Sequence, residues 1–234
     1  SFGLILMHFL NIQRTNSCVG KNQGMCYNTS IRSDKMKVYA IGDLHLGFTS
    51  DKPMDVFGER WQGHVSRLKE AWQKKVTDQD LVILCGDLSW AMRLEAAKVD
   101  LAFIHELPGY KVCIKGNHDF WWEKIGLLNS LYEDLYFIQN KAYILGELAI
   151  CGTRGWPIQE DMTAEDRKVY EREKERLKLS LEDAIKQGAK EIIVALHYPP
   201  TNEKDEPSLF TELLERYPVR HVVYGHLHDE RAWM

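Results

Sequence analysis

Cysteine and proline are sparse in this chain, with five and seven among 234 residues, and no long apolar run or excess of charge accompanies them. Cys85, Cys113 and Cys151 stand singly, within or at the ends of apolar runs. Buried thiols of a reducing compartment look like this, so a disulfide scaffold is excluded and the cytoplasm is the expected location. The apolar opening from Phe2 to Leu10 has nine positions with His8 among them, whereas a membrane span needs about 20 residues. No basic residue precedes it, as a secretory signal would require. Thirty Lys and Arg against 34 Asp and Glu leave a net charge of −4, so no global field draws the protein to nucleic acid or to an anionic membrane. An anionic substrate must therefore be met locally. What is present, 44% hydrophobic, 27% charged and 11% aromatic residues, describes a globular chain and rules out a disordered or collagen-like one.

The small net charge conceals an asymmetry. Arg14, Lys21, Arg32 and Lys35 face Asp34 alone in residues 1–35, which leaves −7 on residues 36–234. The leading stretch shows no helical or strand period and runs into a polar segment rich in Asn, Ser and Gly. Met36 stands directly before Lys37-Val38-Tyr39-Ala40-Ile41, which reads as the first strand of a domain. Residues 1–35 are therefore expected to be an upstream extension, non-native or disordered, and residues 36–234 a single domain.

Within that domain, strand-length runs of Val, Ile and Leu recur at 37–42, 81–85, 110–114, 148–151, 191–196 and 220–224. They lack regular polar alternation, as strands buried on both faces do. Helical periods separate most of them: Trp61, Val65, Leu68 and Trp72 within 59–75, then Leu94, Ala97, Leu101 and Ile104 within 91–106. A long charged helix over 163–187 carries a thin stripe of Tyr170, Leu177, Leu181 and Ile185, with Gly188 suited to its end. No repeat and no Pro/Gly linker interrupts the alternation, so the expectation is one α/β domain. In such folds ligands gather where strands end.

Chemistry-bearing residues crowd those ends. Gly42-Asp43-Leu44-His45 follows the first run, Gly86-Asp87 the second, and Gly116-Asn117-His118-Asp119 the third. His197 follows the fifth, and Gly225-His226-Leu227-His228 the sixth. Five of the nine histidines lie here. Imidazole, carboxylate and amide donors converging on one rim suit borderline divalent cations such as Mn, Fe or Zn. Glycine before a ligand lets the backbone turn and approach closely. The Asp-x-His and His-x-His spacings place both members of a pair on one side of an extended segment.

In this order, the five blocks resemble the signature of the calcineurin-like metallophosphoesterase superfamily over essentially all of 36–234. That resemblance implies a four-layer α/β/β/α sandwich of two mixed sheets flanked by helices. It implies two divalent ions, Mn or Fe foremost with Zn as a further candidate. Asp43, His45 and His228 would hold one, Asn117, His197 and His226 the other, and Asp87 would bridge them. A bridging hydroxide would be the nucleophile, because metal binding lowers the pKa of water from about 15.7 towards 7. His118 would donate a proton or stabilise phosphate, with Asp119 orienting its ring.

Many relatives carry a second Asp three residues after the bridging one, where this chain has Trp90, which weakens any kinship to the protein Ser/Thr phosphatase branch. Arg154, flanked by glycine on either side of Thr153-Arg154, is a candidate to grip phosphate. Trp90, Trp121, Trp122 and Trp156 fall near strand ends, where one or two would form an aromatic wall. The expected partner is a small phosphorylated substrate, with no membrane span and no nucleic acid. A nuclease of the same chemistry and a metal-dead interaction scaffold are the alternatives.

Overall fold

A computed structural model describes residues 8–10, 36–50, 54–159 and 161–227. The runs of Val, Ile and Leu form strands β2 (Val38–Ile41), β3 (Leu81–Leu84), β4 (Tyr110–Cys113), β7 (Leu148–Thr153), β8 (Glu191–Leu196) and β9 (Val219–Tyr224). Three short strands complete the sheets: β1 (His8–Leu10), β5 (Leu135–Phe137) and β6 (Tyr143–Leu145). Three-residue strands offer too little period to be read from sequence, and all three lie at sheet edges.

One sheet has the order β1-β2-β3-β4-β5, parallel except that β1 runs antiparallel to β2. Its neighbour has the order β6-β7-β8-β9, parallel except for the antiparallel edge β6. Each is mixed. Of the leading 35 residues, only His8–Leu10 is described, pairing with Val38–Ala40; the rest of that stretch lies outside the described residues.

Alternate residues of the inner strands face two different apolar layers, which explains why they show no polar alternation. Val38, Ala40, Leu81, Ile83 and Val112 from the first sheet meet Leu148, Ile150, Ile193 and Ala195 from the second between the sheets. The intervening residues, Tyr39, Val82 and Leu84, pack outward with Leu68, Trp72, Leu101 and Ile104 from helices α1 (His64–Lys75) and α2 (Leu94–Glu106). On the far side, Ala149, Cys151, Ile192 and Val194 pack with Leu177, Leu181 and Phe210 from α4 (Ala164–Lys186) and α5 (Leu209–Leu214). A short α3 (Ile125–Leu128) precedes β5. The result is the expected four-layer α/β/β/α sandwich.

Two helix boundaries deserve a physical reason. α1 begins at His64 rather than at Glu59, because Gly63 adopts a left-handed φ of 61° and a 3₁₀ turn, Glu59–Trp61, occupies the start of the predicted span. α4 ends as read, with Gly188 at φ 87° and its N–H on Ile185 O at 2.9 Å. Its apolar stripe passes through Ala184 rather than Ile185, which is 45% exposed. Glu173, between Tyr170 and Leu177 on that same stripe, is wholly buried, so the charged face is not solvated throughout.

Helix α4 carries its own N-terminal stop. Thr163 Oγ1 accepts from Asp166 N at 3.1 Å while the Asp166 carboxylate accepts from Thr163 N at 3.3 Å, a capping box. Thr163→Ala is expected to cost roughly 1 kcal/mol, read as a lower urea midpoint at unchanged slope.

Candidate metal centre

Because β2, β3 and β4 are parallel, their C-terminal ends share one edge of the first sheet, and those of β8 and β9 share the corresponding edge of the second. The loops that follow are laced together: Asp43 N donates to Gly86 O at 2.9 Å, His45 N to Asp87 O at 2.9 Å, and Gly225 N to His197 O at 3.2 Å. Asp43, His45 and Asp87 bring one ligand atom each to within 4.8 Å of one another. His45 Nε2 stands 3.7 Å from Asp43 Oδ1 and 3.8 Å from Asp87 Oδ2. His197 Nε2 lies 3.5 Å from the same Asp87 oxygen. The Asp43 loop is tied to the last motif by His226 N, which donates to Asp43 Oδ2 at 2.8 Å.

Close approach at these ends rests on glycine. A Cβ on Gly116 would lie 2.1 Å from Asp87 Oδ1, and one on Gly225 2.6 Å from Asp43 Oδ2. The left-handed backbone, however, falls on the ligand candidates themselves: φ is 58° at Asp43, 44° at His45, 54° at Asp87 and 70° at His226. Asp43 and His45 therefore do not converge by alternation along an extended segment, as the Asp-x-His spacing suggested. Two left-handed residues around the buried Leu44 bring them together.

The donor chemistry fits divalent cations. Asp87 Oδ2 is buried and accepts no hydrogen bond, while Oδ1 accepts His118 N at 2.8 Å. His197 Nδ1 lies 2.9 Å from Cys85 O, so the tautomer that donates there leaves a lone pair on Nε2. That Nε2 is 2.6 Å from Asn117 Oδ1, so in this tautomer two acceptors face each other, as ligands to one cation would. Burial, with Asp119 adding its charge, pushes the carboxyl of Asp43 up to about 7 and that of Asp87 up to about 8. Burial, then His118, lowers His226, which keeps its ring neutral and able to ligate. His228 lies outside the described residues.

A calcineurin-like phosphoesterase family model matches residues 36–230. The chain belongs to that family. Its fold is similar to that of a protein of unknown function from Aquifex aeolicus, at 19% identity and a TM-score of 0.41, covering 79% of this chain and 88% of that one. It is also similar to phosphopantetheinyl hydrolase from Mycobacterium tuberculosis, at 14% identity and a TM-score of 0.47, covering 82% of each chain. No protein of curated function matches it.

Within this calcineurin-like phosphoesterase, His118 has its ring centroid 4.5 Å from that of Trp90, whose ring stacks on His45 at 4.7 Å. The expectation that Asp119 orients the His118 ring is corrected by the geometry. Asp119 is wholly buried; its Oδ2 accepts from Asp87 N at 2.9 Å and Gly116 N at 2.7 Å. Its Oδ1 accepts from Leu88 N at 2.8 Å, Ser89 N at 3.3 Å and Trp121 Nε1 at 3.1 Å. Both oxygens are committed to the backbone of the Asp87 and Gly116 loops, so Asp119 is a positioning residue.

Arg154 lies outside the carboxylate cluster, its guanidinium 4.8 Å over Trp156. Its carbonyl accepts from His197 N at 3.1 Å and Tyr198 N at 2.9 Å. Of the four tryptophans near strand ends, Trp90 flanks the candidate ligands, with Trp61 edge-on to His45 at 6.0 Å, while Trp121 is 1% exposed and Trp122 packs on Phe137. Sequence reasoning missed Asp100, wholly buried on α2, which accepts from the Ser89 hydroxyl and, at 3.0 Å, from Phe48 N. Its signal was a carboxylate beside the apolar stripe position Leu101.

Gly116→Ala is expected to displace Asp87 and lower metal content, measured by elemental analysis, while circular dichroism still reports a folded chain. The raised carboxyls give a second expectation. Their neutral forms favour the metal-free fold, so that contribution is complete below about pH 4 and is lost as pH rises through about 7 and about 8. In metal-free protein at pH 8.5 or so, Asp87→Asn should raise the thermal midpoint by on the order of a few degrees, an effect that should vanish at about pH 4.

Proposed function

We propose that this phosphoesterase is a two-metal hydrolase of a small phosphodiester or phosphomonoester. The observation that carries the reading is Asp87 Oδ2, a buried acceptor without a hydrogen bond, with His45 Nε2 at 3.8 Å and His197 Nε2 at 3.5 Å. Two cations repel unless an anion is shared between them, and this oxygen is in the place for it. Asp43 and His45 would serve the first ion, joined by His228, and Asn117, His197 and His226 the second. Imidazole, carboxylate and amide ligands suit manganese, iron and zinc alike, and availability decides among them; manganese or iron is the pair proposed, with zinc as a further candidate. When bound, the ions supply an activated water and positive charge for the phosphate oxygens.

The chain's own residues do the remaining work. Asp87 Oδ1 holds the His118 backbone, and the Trp90 ring packs against the imidazole, so its position is set before substrate arrives. His118 then delivers a proton to the leaving oxygen as the phosphorus–oxygen bond breaks. Phe120, 56% exposed and edge-on to that ring, gives the leaving-group side an apolar margin suited to a small organic ester. The −7 on residues 36–234 disfavours a polyanionic nucleic acid. Buried free thiols at Cys85, Cys113 and Cys151 support a cytoplasmic setting.

Hydrolysis of an aryl phosphodiester and an aryl phosphomonoester by Mn²⁺-loaded protein tests the reading, and cleavage of neither overturns it. His118→Ala should retain both metals by elemental analysis and lose roughly 10²–10⁴-fold in turnover, most on poor leaving groups. Loss of metal in that variant would instead make His118 a ligand.

A further inference from the structure

A cavity of about 220 Å³ opens where the ends of β4 and β7 meet α4. Among the described residues that line it there is no candidate metal ligand. Its wall carries four cations, Lys115, Arg154, Arg172 and Arg176, against one carboxylate, Glu173. Glu173 does not account for them. Its Oε1 accepts from Arg176 Nη1 at 2.8 Å and its Oε2 from the Thr153 hydroxyl. Arg154 Nη2 and Arg172 Nε also pair with Oε1, at 3.8 Å and 3.7 Å and beyond hydrogen-bonding distance, so one carboxylate is shared among three guanidinium groups.

Two donors on this wall are also unmatched. Arg154 is only 18% exposed, and its Nε is buried with no hydrogen-bond partner, as is Trp122 Nε1. Buried donors are ordinarily paired, and these two sit in a wall that also holds Asn140 Oδ1, an unpaired acceptor, so the excess of cations is what points to a ligand. Guanidinium forks beside a lysine, in a partly enclosed space, match the oxygens of a phosphate group in charge and in geometry. We infer that this cavity is a second anion site, for a phosphate group either free or carried by a small molecule, separate from the metal centre. It bears on that centre through Arg154, whose carbonyl holds the His197 and Tyr198 backbone.

Calorimetric titration of the full chain with inorganic phosphate tests this. Phosphate should still bind Asp87→Asn protein, whose metal centre is disabled. Arg172→Gln and Lys115→Gln should each weaken that binding by roughly tenfold, with thermal midpoint and aryl-ester turnover retained. Glycerol phosphate in place of phosphate separates the two sources: tighter binding assigns an organic phosphate, equal or weaker binding the free ion. Failure to bind phosphate at all would overturn the inference, as would binding abolished by Asp87→Asn and untouched by the two cavity variants. Loss of hydrolysis with phosphate binding intact would overturn the proposed function and leave this site standing.

Discussion

One buried carboxylate joins the two loops on which the metal centre depends. Asp119 accepts backbone N–H groups from Asp87, Leu88, Ser89 and Gly116, so the strand ends after β3 and β4 are fixed to each other through its two oxygens. A buried carboxylate is costly unless such dipoles surround it. Here they do, and the same negative charge raises its neighbours Asp43 and Asp87. The pocket thus contains one carboxyl met by four backbone N–H groups, whose pKa burial still raises, and two more that burial also holds above the usual carboxylate range. Folding the loops and attracting metal are two results of a single electrostatic arrangement.

The sandwich was legible because its inner strands are buried on both faces, and six of the nine strands among the described residues coincide with apolar runs, although β9, an edge strand carrying Arg220 and His221, is largely exposed. β1, β5 and β6 could not, since three residues at a sheet edge carry no periodic signal. The candidate site was legible for a different reason: parallel strands deliver every chain end to one rim, so ligand types that recur after strands must meet. What sequence could not show was the role of each neighbour. Asp119 stands next to His118 in the chain, yet it turns to the backbone of another loop, because the amides of Asp87 and Gly116 need an acceptor there. Glu173 reads as part of a charged helical surface, and only the stripe from Tyr170 to Leu177 hints that it points inward.

The distribution of charge follows the same logic. A domain that is acidic in sum has no long-range attraction for phosphate, so its affinity must reside in small volumes where the local balance is reversed. At the carboxylate cluster, cations held as proposed would reverse it. The cavity by α4 already holds cations in excess, with Glu173 anchoring Arg176 and the Thr153 hydroxyl beneath them. Both volumes border the same strand end, since Arg154 lines one and its carbonyl steadies the histidine of the other.

The left-handed backbone at Asp43, His45, Asp87 and His226 restricts more than the shape of the rim. Among residues with a Cβ, Asn, Asp and His enter that region most readily, and bulkier or branched side chains pay for it in strain. Four of the candidate ligand positions are therefore also positions where the backbone admits few residue types. Exchanging Asp for Glu to loosen the coordination shell would meet resistance from the main chain before any ion is bound. Substitution at these four positions is consequently constrained by the main chain, whereas Asn117 and His197, outside the left-handed region, carry no such restriction.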